Sequence, residues 1–305
     1  ARINAARKAV GDNGKDQAII RTVSRRGLKL VVDVNCEIPE PNAQKPTRQT
    51  IKYTSSKDGT AIAYAISGSG PPLLRAGHNL THLELDWASN IWPPLFNALS
   101  ENHTLIRFDI RGTGLSDSNL KDKNIQHYVD DMASVVDASG LDTFPILTSL
   151  QNTPVALKYV AQNPHRVSKL VIQNGYCTGR ALRGTGDSDP ENDPVISLAK
   201  SGWGQVNNGF MRAWASLINP NATYEESSEL IELLAAACPV ESFIKNRMIN
   251  DRFDAADVLS QIDVPTLIIH ARNDAVHPFP EAQKLAQGIK GAELIVSESG
   301  NTICL

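Results

Sequence analysis

Cysteines and long apolar runs are both scarce in this sequence, and each scarcity excludes a class of protein. The 305 residues include only four cysteines, which are scattered and form no C-x-x-C pair; they are Cys36, Cys177, Cys238 and Cys304. We interpret them as reduced thiols, which suits the cytoplasm. No apolar run approaches the ~20 residues of a membrane-spanning helix. The first eight residues lack the apolar region of a secretory signal. We therefore expect a cytoplasmic protein without a membrane partner.

Net charge is also low, at −3 for the whole chain, but it is unevenly distributed. Residues 1–33 contain eight Lys/Arg and three Asp, a net charge of +5, so the remaining residues carry −8. A basic arm on an acidic body suggests a polyanionic partner for the arm. A solvated basic helix is the alternative, and charge alone favours it.

The basic arm has the pattern of one helix followed by a β-hairpin. Residues 2–10 place apolar side chains on one side of a helix. Residues 18–23 and 28–34 have strand patterns on either side of the basic turn Arg25-Arg26-Gly27. The runs A-R-I-N-A-A-R-K-A-V-G-D and I-I-R-T-V-S-R-R-G-L-K-L-V resemble the last part of an OmpR-like winged-helix domain.

That resemblance implies that residues 1–34 are a partial winged-helix DNA-binding segment, with a recognition helix and a wing. The DNA contacts would come from Arg2, Arg7, Lys8, Arg21, Arg25 and Arg26. The alternative is that a basic helix and hairpin resembles this family by chance. The family's domain begins well before this helix, so the segment would be part of a longer domain or a remnant of one.

The rest of the chain is divided by a polar, proline-rich stretch. Residues 35–48 have the composition of a linker. From residue 49, short apolar runs alternate with helical patterns, which predicts an α/β fold with a mostly parallel sheet covered on both faces. Residues 176–255 interrupt the alternation and suggest a helical lid, with Trp203 and Trp214 in its core. No repeats or metal-ligand patterns occur, so we expect no metal and no cofactor.

Three motifs in residues 49–305 resemble the α/β-hydrolase family. They are Gly68–His78, which leads into the family's oxyanion loop, Arg107–Asp117, which resembles its D-x-R-G-x-G-x-S turn, and Pro265–Asp274, which resembles the late strand ending in the triad acid. In the second motif we expect Asp109 and Arg111 to hold the turn together. A doubly wound nucleotide-binding fold is the alternative, but no G-x-G-x-x-G follows the first parallel strand.

The resemblance implies a catalytic triad, and two of its three members are absent. The family's nucleophile elbow G-x-S-x-G corresponds to Thr148–Asn152, which places Leu150 at the apex. Asp274 fits the acid, but Thr302 stands where the family carries its histidine. Leucine cannot attack a carbonyl, so no triad is intact. The replacement of both flanking glycines, by Thr148 and Asn152, suggests an elbow that is relaxed or differently shaped.

Neighbouring residues offer weak substitutes for this chemistry. Ser149 lies one residue early, between bulky neighbours, and His277 resembles an ordinary polar loop residue. His78 is a better candidate for touching a ligand, and the backbone N–H of Gln151 at a helix start could bind a carbonyl. The predicted ligand pocket comprises Gly77, His78, Leu150, Gln151 and Asp274.

The sequence therefore favours a DNA-binding transcriptional regulator whose hydrolase-like domain is a pseudoenzyme that senses a small molecule. Its partners would be DNA, if the winged helix is complete in the native protein, and the small molecule; a homodimer is left open. One alternative is an α/β hydrolase acting on small esters through a non-standard nucleophile. Another is an inactive scaffold or decayed product.

Overall fold

The chain divides into two compact units, Ala1–Lys45 and Pro46–Leu305. A computed structural model describes residues 2–23, 27–32, 48–77, 80–183 and 193–303. The predicted linker lies outside the described residues except for Arg48, and so do Arg25 and Arg26 of the predicted wing. The division at 1–34, 35–48 and 49–305 remains a prediction.

The described residues of the first unit form one helix and one antiparallel hairpin. Helix α1 spans Arg2–Ala9, strand β1 spans Ile20–Val23, and strand β2 spans Gly27–Leu30. This confirms the predicted helix and hairpin, although both strands are shorter than predicted.

Two polar side chains hold the first unit together. The carboxylate of Asp12 accepts hydrogen bonds from the backbone N–H groups of Ile20, Ile19, Ala18 and Asn13, which lower its pKa to about 2. The guanidinium of Arg7 is buried and donates to the carbonyl of Ile20 and the hydroxyl of Thr22. Arg7 therefore makes its contacts inside this unit and is not exposed, which argues against its predicted contact with DNA. Lys8 and Arg21 are exposed.

The second unit is built on one eight-stranded sheet. Its strands are β3 (Thr50–Ser55), β4 (Ala61–Ser67), β5 (Pro72–Ala76), β6 (Thr104–Phe108), β7 (Phe144–Ser149), β8 (Val167–Gln173), β9 (Thr266–Ala271) and β10 (Glu293–Ser297). They lie in the order β10-β9-β8-β7-β5-β6-β4-β3. The pairings β3–β4 and β4–β6 are antiparallel, and all others are parallel. This confirms the predicted mostly parallel sheet.

Helices cover both faces of the sheet. The helices are α2 (Leu83–Ala88), α3 (Pro93–Asn102), α4 (Ile125–Ala138), α5 (Thr153–Gln162) and α10 (Phe279–Gly288). Because successive strand residues point to opposite faces, Leu74 packs with α4 and α5 while Leu73 packs with α3. The alternation places α4, α5 and α10 on one face, and α3 on the other.

Four helices between β8 and β9 form a cap. They are α6 (Pro194–Gly202), α7 (Gly209–Ile218), α8 (Tyr224–Ala237) and α9 (Val240–Asn250). Their core includes Phe243, whose ring stacks on Trp203 with centroids 4.2 Å apart. The Trp203 indole N–H also donates to the carbonyl of Cys238 at 2.8 Å. Trp203 and Trp214 pack against this cap core, as expected from the sequence.

The turn after β6 is held by buried polar contacts. Oδ2 of Asp109 accepts hydrogen bonds from the N–H groups of Leu83 and Leu115. Gly114 has φ +51°, and a Cβ there would lie 2.1 Å from Asp109 Oδ2, so only glycine fits. The fully buried guanidinium of Arg111 contacts Asp131 at 2.5 Å and Asp58 at 2.9 Å. Asp109 and Arg111 therefore organise the turn, as the sequence predicted.

Candidate active site

The nucleophile elbow keeps its strained backbone although its apex is a leucine. Strand β7 ends at Ser149, and a 3-10 turn at Leu150–Asn152 leads into α5. Leu150 has φ +53°, in the left-handed region, which costs a non-glycine residue roughly 1–2 kcal/mol. The expectation of a relaxed elbow is therefore wrong.

Two contacts accommodate the loss of the flanking glycines. The side-chain amide of Asn152 donates to the carbonyl of Gly77, so this residue joins the elbow to the loop after β5. The close approach that requires a glycine occurs after β8, where a Cβ on Gly175 would lie 2.3 Å from Oγ1 of Thr153. Position 152 thus accommodates an asparagine, and a steric requirement for glycine lies instead at Gly175, beside the first residue of α5.

Asp274, the predicted triad acid, is bonded to Thr302, which occupies the position predicted for the histidine. Oδ1 of Asp274 accepts hydrogen bonds from the N–H groups of Val276 and His277 and, at 2.7 Å, from Oγ1 of Thr302. Oδ2 of Asp274 is buried and has no hydrogen-bond partner among the described residues. Burial raises the pKa of Asp274. The side chain of Thr302 therefore points toward the acid, as a histidine at that position would.

Asn174 joins the loops that carry these two residues, and sequence reasoning missed it. Its Nδ2 donates to the carbonyl of Thr302 at 2.7 Å, and its Oδ1 accepts from the N–H of Ala271 at 2.7 Å. It follows β8 with φ +44°. An asparagine directly after a buried strand, where left-handed backbone is tolerated by asparagine, was the available signal.

A cleft lies between the elbow and the cap. Its inner chamber offers about 90 Å³ beside Leu150, and its outer part offers about 390 Å³ beneath the cap. The inner chamber is mostly apolar, and its polar lining residues are Gln151, Arg247, Asn250, Asp251, His277 and Thr302. Of the predicted pocket residues, Leu150 and Gln151 line the cleft, and Asp274 touches it through Thr302.

Other predicted site residues lie elsewhere. Gly77 contacts the elbow through its carbonyl but does not line the cleft, and His78 is outside the described residues. Ser149 also does not line the cleft, so the structure gives it no access to a bound acyl group. Among the described ranges, no group of three or more His, Cys, Asp or Glu side chains could hold a metal ion. None of the described helices is long and apolar enough to span a bilayer.

His277 belongs to the cleft wall, although the sequence suggested an ordinary loop residue. Its ring stacks on Tyr176 with centroids 5.3 Å apart, and its Nδ1 has no partner among the described residues. Burial, with lesser contributions from Arg183 and His270, lowers the pKa of His277 to about 3. The ring is therefore neutral near pH 7 and unable to act as a charged anchor.

This lowered pKa predicts that His277 makes stability depend on pH. An unfolded histidine has a pKa near ~6.5, so between pH 6.5 and 3 the unfolded chain binds a proton that the folded chain excludes. The contribution of His277 to the free energy of unfolding is therefore complete above pH 6.5 and is lost as the pH falls below it. Relative to His277→Phe, which keeps the stack on Tyr176, the wild type should lose roughly 2 kcal/mol more between pH 6.5 and 4.5. Urea unfolding at a series of pH values measures the free energy of unfolding of both proteins. The same pH dependence in the two proteins would contradict the prediction.

Comparison with known proteins agrees with this architecture. Residues 80–224 match the family model described as alpha/beta hydrolase fold. The chain is 28% identical over 240 residues to "Putative carbamate hydrolase RutD" of Azorhizobium caulinodans, covering 76% of this chain and 84% of that protein. It is 20% identical over 242 residues to pyrrolizixenacetamide deacetylase of Xenorhabdus hominickii, covering 79% and 87%. The solved esterase EaEST of Exiguobacterium antarcticum superposes with a TM-score of 0.69 at 24% identity, covering 82% and 92%.

The chain thus contains an α/β-hydrolase-fold domain with a mostly parallel central sheet. The prediction of a DNA-binding transcriptional regulator is wrong, because the relatives that match over three-quarters of the chain are named as a carbamate hydrolase and a deacetylase. The same names overturn its description as a ligand-sensing pseudoenzyme. The resemblance to an OmpR-like winged helix gains no support from these comparisons.

Proposed function

We propose that the cleft binds small acyl compounds, namely esters, amides or carbamates, and hydrolyses them by direct attack of water. The observation that carries this proposal is the Thr302–Asp274 pair. Thr302 lines the inner chamber, and its hydroxyl donates at 2.7 Å to Oδ1 of Asp274, whose Oδ2 has no partner among the described residues. The chamber beside Leu150 exceeds the ~10–15 Å³ that one water needs. The names of the relatives support the class of substrate.

In this reaction the nucleophile is water because Leu150, at the apex of the elbow, carries no hydroxyl or thiol. Water attacks the acyl carbon while its proton passes to Oγ1 of Thr302, which in turn passes its own proton to Asp274. The raised pKa of that carboxyl makes it a better proton acceptor than an ordinary aspartate. The tetrahedral intermediate then expels an alcohol or amine, which takes a proton back along the same path. One water is consumed, and no acyl-enzyme forms.

The surrounding groups supply positioning rather than covalent chemistry. The N–H of Gln151, directly after the elbow apex, is the donor available to the developing oxyanion. Oriented binding and such donors alone sustain roughly 10³–10⁴-fold acceleration over water in hydrolases stripped of their triad. We expect rates of that order, well below those of members with a serine nucleophile.

The Thr302 hydroxyl can be tested with a matched pair of substitutions. Thr302→Val keeps the shape but removes the hydroxyl, and it should lower kcat for p-nitrophenyl acetate by roughly 10–100-fold. Thr302→Ser keeps the hydroxyl and should retain most of the rate. Initial rates, corrected for the buffer reaction, provide the measurement. Equal rates for the two variants would exclude the hydroxyl as the proton carrier.

A further inference from the structure

The inner chamber is lined by residues whose buried amide groups no described residue satisfies. Asn250, the last residue of α9, is only 3% exposed and lines the chamber. Neither its Oδ1 nor its Nδ2 has a hydrogen-bond partner among the described residues. Oε1 of Gln151 and Nδ1 of His277, on the same chamber, are likewise without partners there. Unsatisfied buried polar groups are unfavourable, so these atoms favour a ligand that completes them.

The unpartnered state of Asn250 is not a general property of this helix. One turn earlier, Asn246 is also fully buried, yet both of its amide atoms are bonded. Its Nδ2 donates to the carbonyl of Arg111 at 3.1 Å, and its Oδ1 accepts from the hydroxyl of Tyr128. Asn246 therefore has a structural role, whereas Asn250 lines the chamber and its buried amide has no partner among the described residues.

The charged groups beside Asn250 are already balanced by each other. Arg180 contacts Asp193 at 2.5 Å and Asp251 at 2.6 Å, and Arg247 contacts Asp193 at 2.7 Å. Two cations and two anions leave no net charge for an ionic ligand to neutralise. This balance favours a neutral group in the chamber over a carboxylate, a phosphate or an ammonium ion.

We propose that Asn250, with Gln151 and His277, determines substrate specificity by recognising the neutral N–H/C=O edge of an amide-type ligand. An asparagine amide offers an acceptor and donors side by side, so its complement is a group with an adjacent donor and acceptor. Primary amides, carbamates, ureides and lactams have that edge. A simple ester or lactone has only acceptors, and it leaves Oδ1 of Asn250 and Oε1 of Gln151 unpaired. The inference rests on the proposed function, since it narrows the substrate class of the same cleft.

Equilibrium binding of a lactam and a lactone of the same ring size tests this directly. δ-Valerolactam and δ-valerolactone differ by one N–H for one oxygen, and Trp214 on the cleft wall provides a fluorescence signal. A site built to bond an N–H discriminates strongly against an analogue that lacks it. We expect the wild type to bind the lactam at least about 10-fold more tightly than the lactone.

Substitution of Asn250 should abolish that preference without unfolding the protein. Asn250→Leu should weaken lactam binding about 10-fold and leave lactone binding unchanged. Its Tm should stay the same or rise, because an unsatisfied buried amide is removed. The control is Asn219→Leu, since Oδ1 of Asn219 is also unpartnered in the described structure but this residue does not line the cleft. It should keep the wild-type preference.

The outcomes separate this inference from the proposed function. A lactam preference that disappears in Asn250→Leu supports the inference even if Thr302→Val leaves the hydrolysis rate unchanged. Equal affinities for both rings in the wild type, or no saturable lactam binding, would overturn it. A preference that persists in Asn250→Leu would also overturn it, whatever the hydrolysis rates show.

Discussion

A chain with both Leu150→Ser and Thr302→His should hydrolyse p-nitrophenyl acetate at least about 100-fold faster than either single variant. The elbow already holds residue 150 at φ +53°, so a serine there would occupy the apex. Residue 302 already points toward Asp274, since Oγ1 of Thr302 lies 2.7 Å from its carboxylate. Nucleophile and base act as a unit, so the gain should be strongly non-additive.

The matched control for this experiment is Leu150→Ala combined with Thr302→His. It creates similar space at the apex and the same base but lacks the hydroxyl, so its rate should stay at the single-variant level. Steady-state rates and labelling by a fluorophosphonate report on the new serine. A double variant that is no faster than Leu150→Ser alone would show that the elbow no longer presents residue 150 to a bound acyl group.

Of the single substitutions proposed, removal of the guanidinium of Arg111 should lower the free energy of unfolding most. Arg111→Leu leaves the buried carboxylate of Asp131 without its partner, and breaking a buried pair in this way costs about 3–5 kcal/mol. We expect a Tm roughly 10 °C lower. Calorimetry measures the change.

An exposed ion pair provides the control for Arg111. Arg272 pairs with Glu298 at 2.9 Å, but both side chains are about half or more exposed, so Arg272→Gln should cost less than about 1 kcal/mol. The double variant with Arg111→Leu and Asp131→Leu should recover part of the loss, because the unpaired charge is gone. Equal losses for Arg111→Leu and Arg272→Gln would contradict the role of Arg111 in the turn.

The sheet and its turn could be predicted from sequence because their signals are local. Short apolar runs alternate with helices, and the residues that identify the turn, Asp109 and Arg111, lie within one motif, although their partners Leu83, Asp58 and Asp131 lie in other segments. The replaced triad positions could also be identified, since they are fixed by their distance from strands β7 and β10. These features require only the order of elements along the chain.

The features that could not be predicted from the sequence depend on contacts between segments that are distant along the chain. The strained elbow was missed because its flanking glycines are replaced; the glycine that closely approaches Thr153, Gly175, follows the neighbouring strand β8 and lies outside the motif. The role of Asn250 could not be read from sequence because it depends on how the cap helices pack over the cleft. The winged-helix resemblance gains no support from the comparisons, because a basic helix and hairpin is a general pattern. Arg7, one of its predicted DNA contacts, bonds within its own unit.

Mass spectrometry of the intact protein during turnover tests the central claim most directly. The wild type is mixed with p-nitrophenyl acetate, the reaction is quenched while product is still forming, and the intact mass of the protein is measured. Attack by water predicts steady product release at a rate above that of Thr302→Val, with the protein at its unmodified mass. An acetyl adduct that forms and decays at the turnover rate, on Ser149 or any other side chain, would contradict the account, as would product formation no faster than with Thr302→Val.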